Sequence, residues 1–250
     1  PWKIRVSDDD QVYVMDFYNY GNVYRFDPVI SSNSMLPVLR ADNHPINTSL
    51  SRMADLSGMA VVGTGTNTQL WMTDYDYYAG FGILKYGLTA DGTCATNDPG
   101  VTVVGVGGSL DNGPYAVALD QGGNIYTVQN LVNSLDPSVR VLLFPAYDPA
   151  TNGGAPELTA AWAVGAGDNL YAGAQGLAVD PTGNYVAVTC LGVLGTGGYF
   201  NGSTTVFYAT NGAVVTNIDL GVAFTSKRTT NAVPPLDPTH HMDTDADWDA

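Results

Sequence analysis

The segment with the most chemistry in the smallest space is Asp243-Thr244-Asp245-Ala246-Asp247-Trp248-Asp249, four carboxylates at alternate positions. On an extended strand all four project from one face, about 7 Å apart. Such repulsion is relieved by water or by a cation. Asp-x-Asp-x-Asp also opens many calcium loops, because hard oxygen ligands suit Ca²⁺. The run lacks the glycine and the distal bidentate glutamate of an EF-hand, which excludes that identity. Asp243, Asp245, Asp247 and Asp249 are therefore the expected metal ligands and calcium the expected ion; the competing reading makes them a solvated end. His240 and His241 precede the run. Adjacent residues of a strand point to opposite faces, so they form a poor pair for a transition metal.

A second candidate is the aromatic-acidic stretch Asp74-Tyr75-Asp76-Tyr77-Tyr78, with Phe81 beyond it. Tyr rings over sugar faces and Asp carboxylates on hydroxyls would make a glycan surface. Exposed tyrosines equally suit a protein interface, and a loop packed over its neighbours is the third reading. Asp8-Asp9-Asp10 falls in a predicted hairpin turn and reads as solvated. Two Asn-x-Ser/Thr sequons, at Asn47 and Asn201, lie in predicted loops and are candidate glycosylation sites if the chain is extracellular.

Enzyme signatures are poor. No Gly-x-Ser-x-Gly elbow is present. The three histidines, His44, His240 and His241, lie far along the chain from Cys94 and Cys190. Val104-Gly105-Val106-Gly107-Gly108 has the glycines of a phosphate loop, but no Lys-Ser/Thr follows; it reads as an outer strand and turn. Cys190 follows an apolar strand and reads as a buried thiol.

Composition says what kind of scaffold must hold these groups. Of 250 residues 45% are hydrophobic, ample for a core, and only 13% are charged, against roughly 25% in an average domain. Fifteen Tyr and 29 Gly favour strands and tight turns over helices. The formal net charge is −15, which disfavours nucleic acid and anionic membrane surfaces and favours cations. Nearly all the acid is Asp; Glu157 is the one glutamate. No apolar run reaches the roughly 18 residues of a membrane span. The chain opens Pro1-Trp2-Lys3-Ile4 inside a predicted strand, which reads as a processed or incompletely defined N-terminus.

The scaffold itself is written as a repeat. An apolar strand, a polar turn and a second apolar strand recur around Ser7, Gly63, Asp120 and Asp180, and a fifth copy begins around Asp249, at spacings of 56, 57, 60 and 69 residues. Strand repeats of this length mean a β-propeller or a related array. Each unit divides into four strands. The first has 2–7, 11–17, 22–27 and 34–40; the second 57–62, 69–74, 82–88 and 101–106. The third has 114–120, 124–129, 138–145 and 160–165, and the fourth 174–180, 184–190, 203–209 and 213–220. Blades then span about 1–41, 57–106, 114–165 and 174–220, with a partial blade at 241–250. The inner two strands of each unit are continuous apolar runs, expected to be buried on both faces; the third and fourth alternate and are expected to be half-wet. The best helix candidate, Ser49 to Leu56, is short.

Gln175-Gly176-Leu177-Ala178-Val179-Asp180-Pro181-Thr182-Gly183-Asn184-Tyr185-Val186 resembles the signature of NHL-type propellers, and the third unit, Tyr115 to Tyr126, fits nearly as well. The first two units fit weakly, Ser7 and Gly63 standing where the signature has Asp. The resemblance covers essentially the whole chain and implies an all-β propeller of four-stranded antiparallel blades, similar to secreted bacterial surface proteins. It specifies fold rather than chemistry. Four blades and one further strand are either part of a longer ring or an open arc completed by other copies of the chain.

The leading expectation is a non-enzymatic extracellular or cell-surface protein that self-associates, as in a filament. A glycan- or protein-binding module is the alternative. A metal-dependent hydrolase or lactonase is weaker: propeller lactonases hold a channel metal on Glu, Asn and Asp, and Glu157 falls in an insertion between outer strands. If the four aspartates hold calcium, adding Ca²⁺ raises the melting temperature by mass action; a melt indifferent to calcium and to chelator removes the site.

Overall fold

The computed structural model describes residues 3–16, 22–26, 35–39, 56–74, 82–95, 100–105, 110, 113–130, 139–150, 160–164, 174–190 and 203–219. Among the described residues the β-branched and aromatic runs form sixteen strands. The first unit gives β1 (Lys3–Val6), β2 (Val12–Asp16), β3 (Asn22–Phe26) and β4 (Met35–Leu39); the second β5 (Leu56–Val62), β6 (Gln69–Asp74), β7 (Gly82–Gly87) and β8 (Val101–Val104). The third gives β9 (Pro114–Leu119), β10 (Ile125–Asn130), β11 (Val139–Phe144) and β12 (Trp162–Val164); the fourth β13 (Ala174–Val179), β14 (Tyr185–Cys190), β15 (Ser203–Tyr208) and β16 (Val214–Asp219). One 3-10 turn, Gly65–Asn67, sits in the β5–β6 connection. No α-helix occurs among the described residues; the helix expected at 49–56 lies outside them except for Leu56, which opens β5.

Each unit is one four-stranded antiparallel sheet in which sequence neighbours pair. The inner strands then stack in order: β1 touches β5, β5 touches β9, and β9 touches β13. These are the blades of a β-propeller, packed face to face about their first strands. The fifth copy of the repeat lies outside the described residues.

Three apolar clusters glue consecutive blades. Tyr13, Met15 and Val23 of the first blade meet Met59, Met72 and Tyr86 of the second. Trp71 and Ile83 of the second meet Val117, Ile125 and Phe144 of the third. Tyr126, Val128 and Val141 of the third meet Leu177, Val188 and Phe207 of the fourth. The third strands are drier than their alternation suggests: Val141, Leu142 and Phe144 of β11 are all fully buried. A sheet with a neighbour on each face has no wet side.

Pairing also corrects the register read from sequence. Val6, Val61, Leu119 and Val179 occupy one repeat position, paired with Val12, Leu70, Ile125 and Val186. The residue after each is Ser7, Val62, Asp120 and Asp180, so the second unit's anchor is Val62, one before Gly63. In the fourth unit Val186, not Tyr185, matches Ile125. The turns differ in length: Asp120 N–H donates to Asn124 O, whereas Asp180 N–H donates to Tyr185 O, one residue further on. A one-residue slip moves a side chain to the opposite face.

Close approach of blades is set by small residues on the inner strands. A Cβ added at Gly58 would lie 2.5 Å from Thr73 Oγ1, 2.8 Å from Ala116 Cα and 2.9 Å from the Tyr115 carbonyl oxygen. Ser57 beside it donates to the Pro114 carbonyl at 3.1 Å, pinning the second blade to the third. Gly58→Ala is expected to cost about 1–3 kcal/mol by overpacking this seam. Gly87→Ala, where an added Cβ meets nothing within 4 Å, is expected to leave the urea midpoint unchanged or slightly raised. Equal midpoints for the two variants would contradict the seam.

Candidate functional site

Of the residues singled out in the sequence, few fall within the described structure. Asp243, Asp245, Asp247 and Asp249 lie outside it, as do His240, His241, Asn47, Asn201, Tyr75, Asp76, Tyr77, Tyr78, Phe81 and Glu157. Asp74 ends β6 opposite Leu56 and Gly82 and is only 2% exposed. Cys94 packs against the cluster between the first two blades, and its N–H donates to the Val38 carbonyl at 2.8 Å. Among the described residues no three His, Cys, Asp or Glu side chains converge as a metal site requires.

The triple-aspartate turn does more than meet water. The Asp8 carboxylate accepts from Gly63 N–H at 3.0 Å and Asp9 accepts from Gly65 N–H at 2.9 Å. Both amides belong to the equivalent turn of the next blade, so the turn is an inter-blade clamp. The Ser7 hydroxyl donates to Asp9 at 2.6 Å and orients it. Asp10 completes the turn at φ 62°, a backbone region that Asp tolerates better than most residues. The missed signal was an Asp pair one repeat upstream of Gly63-Thr64-Gly65, whose amides need acceptors.

Other polar groups act both between blades and within them. Trp162 Nε1–H donates to the Ala209 carbonyl at 2.8 Å and ties the third blade to the fourth. The Tyr126 hydroxyl donates to Asp120 at 3.1 Å; burial first, and the nearby carboxylate second, push that phenol well above its ordinary range. Lys85 lies opposite Trp71 in the β6–β7 register, its ammonium 5.4 Å from the Trp71 ring and 5.7 Å from the Tyr147 ring of the next blade. Partial burial lowers its pKa. The Trp162 bond and the Lys85–Tyr147 contact join blades, whereas the Tyr126–Asp120 bond and the Lys85–Trp71 contact lie within one.

The surface that stands out is the outer face of the first blade. Register places Ile4, Val14 and Tyr24 in one row, and Val6, Val12 and Phe26 in the next. In the other blades the second-strand positions of these rows are Leu70 and Met72, Ile125 and Thr127, and Val186 and Val188, all fully buried by the preceding blade. In the first blade Val12 and Val14 are only partly buried, and Ile4 and Val6 are each 56% exposed. At the far end, the fourth blade leaves Ala178, Thr189 and Thr216 exposed, with Tyr185 and Tyr208 stacked at 5.7 Å and over 40% exposed. The first-blade face thus presents exposed apolar side chains, and the fourth-blade face a mixture of tyrosine, alanine and threonine.

No family model and no curated protein matches the chain. Among solved structures it is similar to a chain of a nidogen/laminin complex, at 13% identity and TM-score 0.48, over 83% of this chain and 59% of that one. It is also similar to a GH43_12 from a capybara gut metagenome, at 9% identity and TM-score 0.43, over 78% and 37%. A third is a glycoside hydrolase family 43 arabinoxylan arabinofuranohydrolase from Bacillus subtilis, at 12% identity and TM-score 0.41, over 87% and 48%. The chain thus spans less than two thirds of each.

The aspartate clamp has a pH signature. The Ser7 hydroxyl, and after it the Gly65 amide, hold the Asp9 carboxyl below the ordinary 3.8. A depressed folded-state pKa stabilises the fold above the unfolded value and loses that contribution as pH falls through the folded one. At this exposed site the contribution is below about 1 kcal/mol. Asp9→Asn is therefore expected to lower stability by a constant small amount from pH 7 to 5, and the gap from wild type closes below pH 4, read by denaturant melts. A gap that widens in acid would contradict the clamp.

Proposed function

We propose that the chain is a non-enzymatic assembly module, an NHL-like propeller unit of an extracellular or cell-surface structure that associates with other copies of itself. The observation that carries this reading is the uncovered apolar face of the first blade: Ile4 is 56% exposed where Met59, Val117 and Leu177 are buried, and Val6 is 56% exposed where Val61, Leu119 and Val179 are partly buried. Exposed contiguous apolar patches on a soluble surface mark interaction sites. Burial there is favourable by roughly 25 cal/mol per Å² of apolar area removed from water, offset by the cost of association.

A net charge of −15 keeps the free chains apart at low salt, so association is expected to strengthen as ionic strength screens the repulsion. Sedimentation of the 250-residue chain over a wide concentration range, at low and at physiological salt, tests this. A mass that rises with concentration and with salt supports assembly. A monomer throughout removes it.

A further inference from the structure

The inner strand of the fourth blade carries the small residues that receive the next blade at two of the filled joints, while Ala187 stands where those joints present Trp71 and Tyr126. Three inner strands carry the same small-large-small triplet: Gly58-Met59-Ala60, Ala116-Val117-Ala118 and Gly176-Leu177-Ala178. The large residue faces the preceding blade: Met59 lies in the cluster between the first and second blades and Leu177 in that between the third and fourth. The small residues face the following one. At Gly58 this lets the next inner strand come in until Ala116 Cα stands 2.8 Å from where a Cβ would be. At Gly176 the three nearest atoms to that point all belong to Thr189 of its own blade, and Ala178 beside it is exposed. The seat is built and nothing in the described residues fills it.

The matching insert is present at the other end of the same chain. Each filled joint receives the two large residues of an inner strand, the two they pair with on the second strand, and an aromatic from the third. That aromatic is Tyr86, Phe144 and Phe207 in the second, third and fourth blades, opposite Leu70, Ile125 and Val186, and all three are fully buried. The first blade offers the same set, Ile4, Val6, Val12, Val14 and Phe26, with Phe26 opposite Val12. Phe26 and the two valines of β2 are only partly buried.

We infer that the Gly176–Ala178 face of the fourth blade is the seat for the first blade of a second copy, so that chains join head to tail by sheet faces rather than by strand edges. This rests on the assembly reading above and names its partner surface. The joint repeats what the second and third internal joints do, where small inner-strand residues receive the next blade; the first joint is seated on the face of Lys3 and Arg5 instead. A head-to-tail contact closes into a ring or grows, according to the rotation per copy.

The test uses two blocked variants of the chain. Ala178→Arg fills the seat, and Ile4→Asp combined with Val6→Asp charges the insert; these positions are exposed, where substitutions seldom disturb the fold. Each variant alone is expected to lose association and keep the wild-type melting temperature. Mixed one to one, they still own one intact seat and one intact insert, and are expected to form a dimer that grows no further. If Ala178→Arg unfolds, Thr216→Arg on the same exposed face replaces it. A wild type that assembles while both blocked variants also assemble overturns this joint and leaves the assembly reading standing. A wild type that never assembles overturns both. An Ala178→Arg chain that stays monomeric like the wild type but melts earlier overturns the joint too, because the seat is then filled from within the chain.

Discussion

Each filled joint between blades of this protein buries apolar side chains from both sheets, and that single constraint organises the rest. A sheet that can leave one face in water alternates polar and apolar residues; one that cannot must be covered twice. Covering each sheet with the next, about a common line of inner strands, yields a row of blades whose outermost faces are not covered by any of the described residues. The three filled joints bury Tyr86, Phe144 and Phe207 completely. The unfilled end of the first blade shows Ile4 and Val6 to solvent. The functional reading is the same physics carried one blade further.

Polar chemistry in the described residues serves those joints. Asp8 and Asp9 cap amides of the next turn, Ser57 reaches the Pro114 carbonyl, and Trp162 reaches the Ala209 carbonyl. The Ser57 bond is buried, where an unpaired group would cost about 1–3 kcal/mol, and the aspartate bonds are exposed and contribute less. The small residues Gly58 and Ala116 complete the plan by letting backbones approach. Close packing within the row therefore comes from one residue pattern.

The strands were legible in the sequence to within a residue or two, because long β-branched and aromatic runs between Gly- and Asn-rich turns leave little choice. The register was less so. Gln121-Gly122-Gly123-Asn124 and Pro181-Thr182-Gly183-Asn184 look alike, yet the second turn closes one residue later, and this decides that Val186 rather than Tyr185 enters the joint. Asp8 and Asp9 are exposed, as their turn reads, but their partners are backbone amides in another repeat, which no local pattern displays. The small-large-small triplets were visible from the start; their meaning needed the packing of β5 on β9. The acidic run at 243–249 and the tyrosines after Asp74 lie outside the described residues, so the sequence remains the ground for their chemistry.

The measurement that bears most directly on the account is a density map of the assembled chain at side-chain resolution. The account predicts the β1 strand of one copy lying across Gly176 and Ala178 of its neighbour, with Ile4 and Phe26 buried as Met59 and Tyr86 are within the chain, and Val6 partly buried as Val61 is. A map in which copies meet elsewhere and Ile4 and Val6 stay in solvent would contradict it.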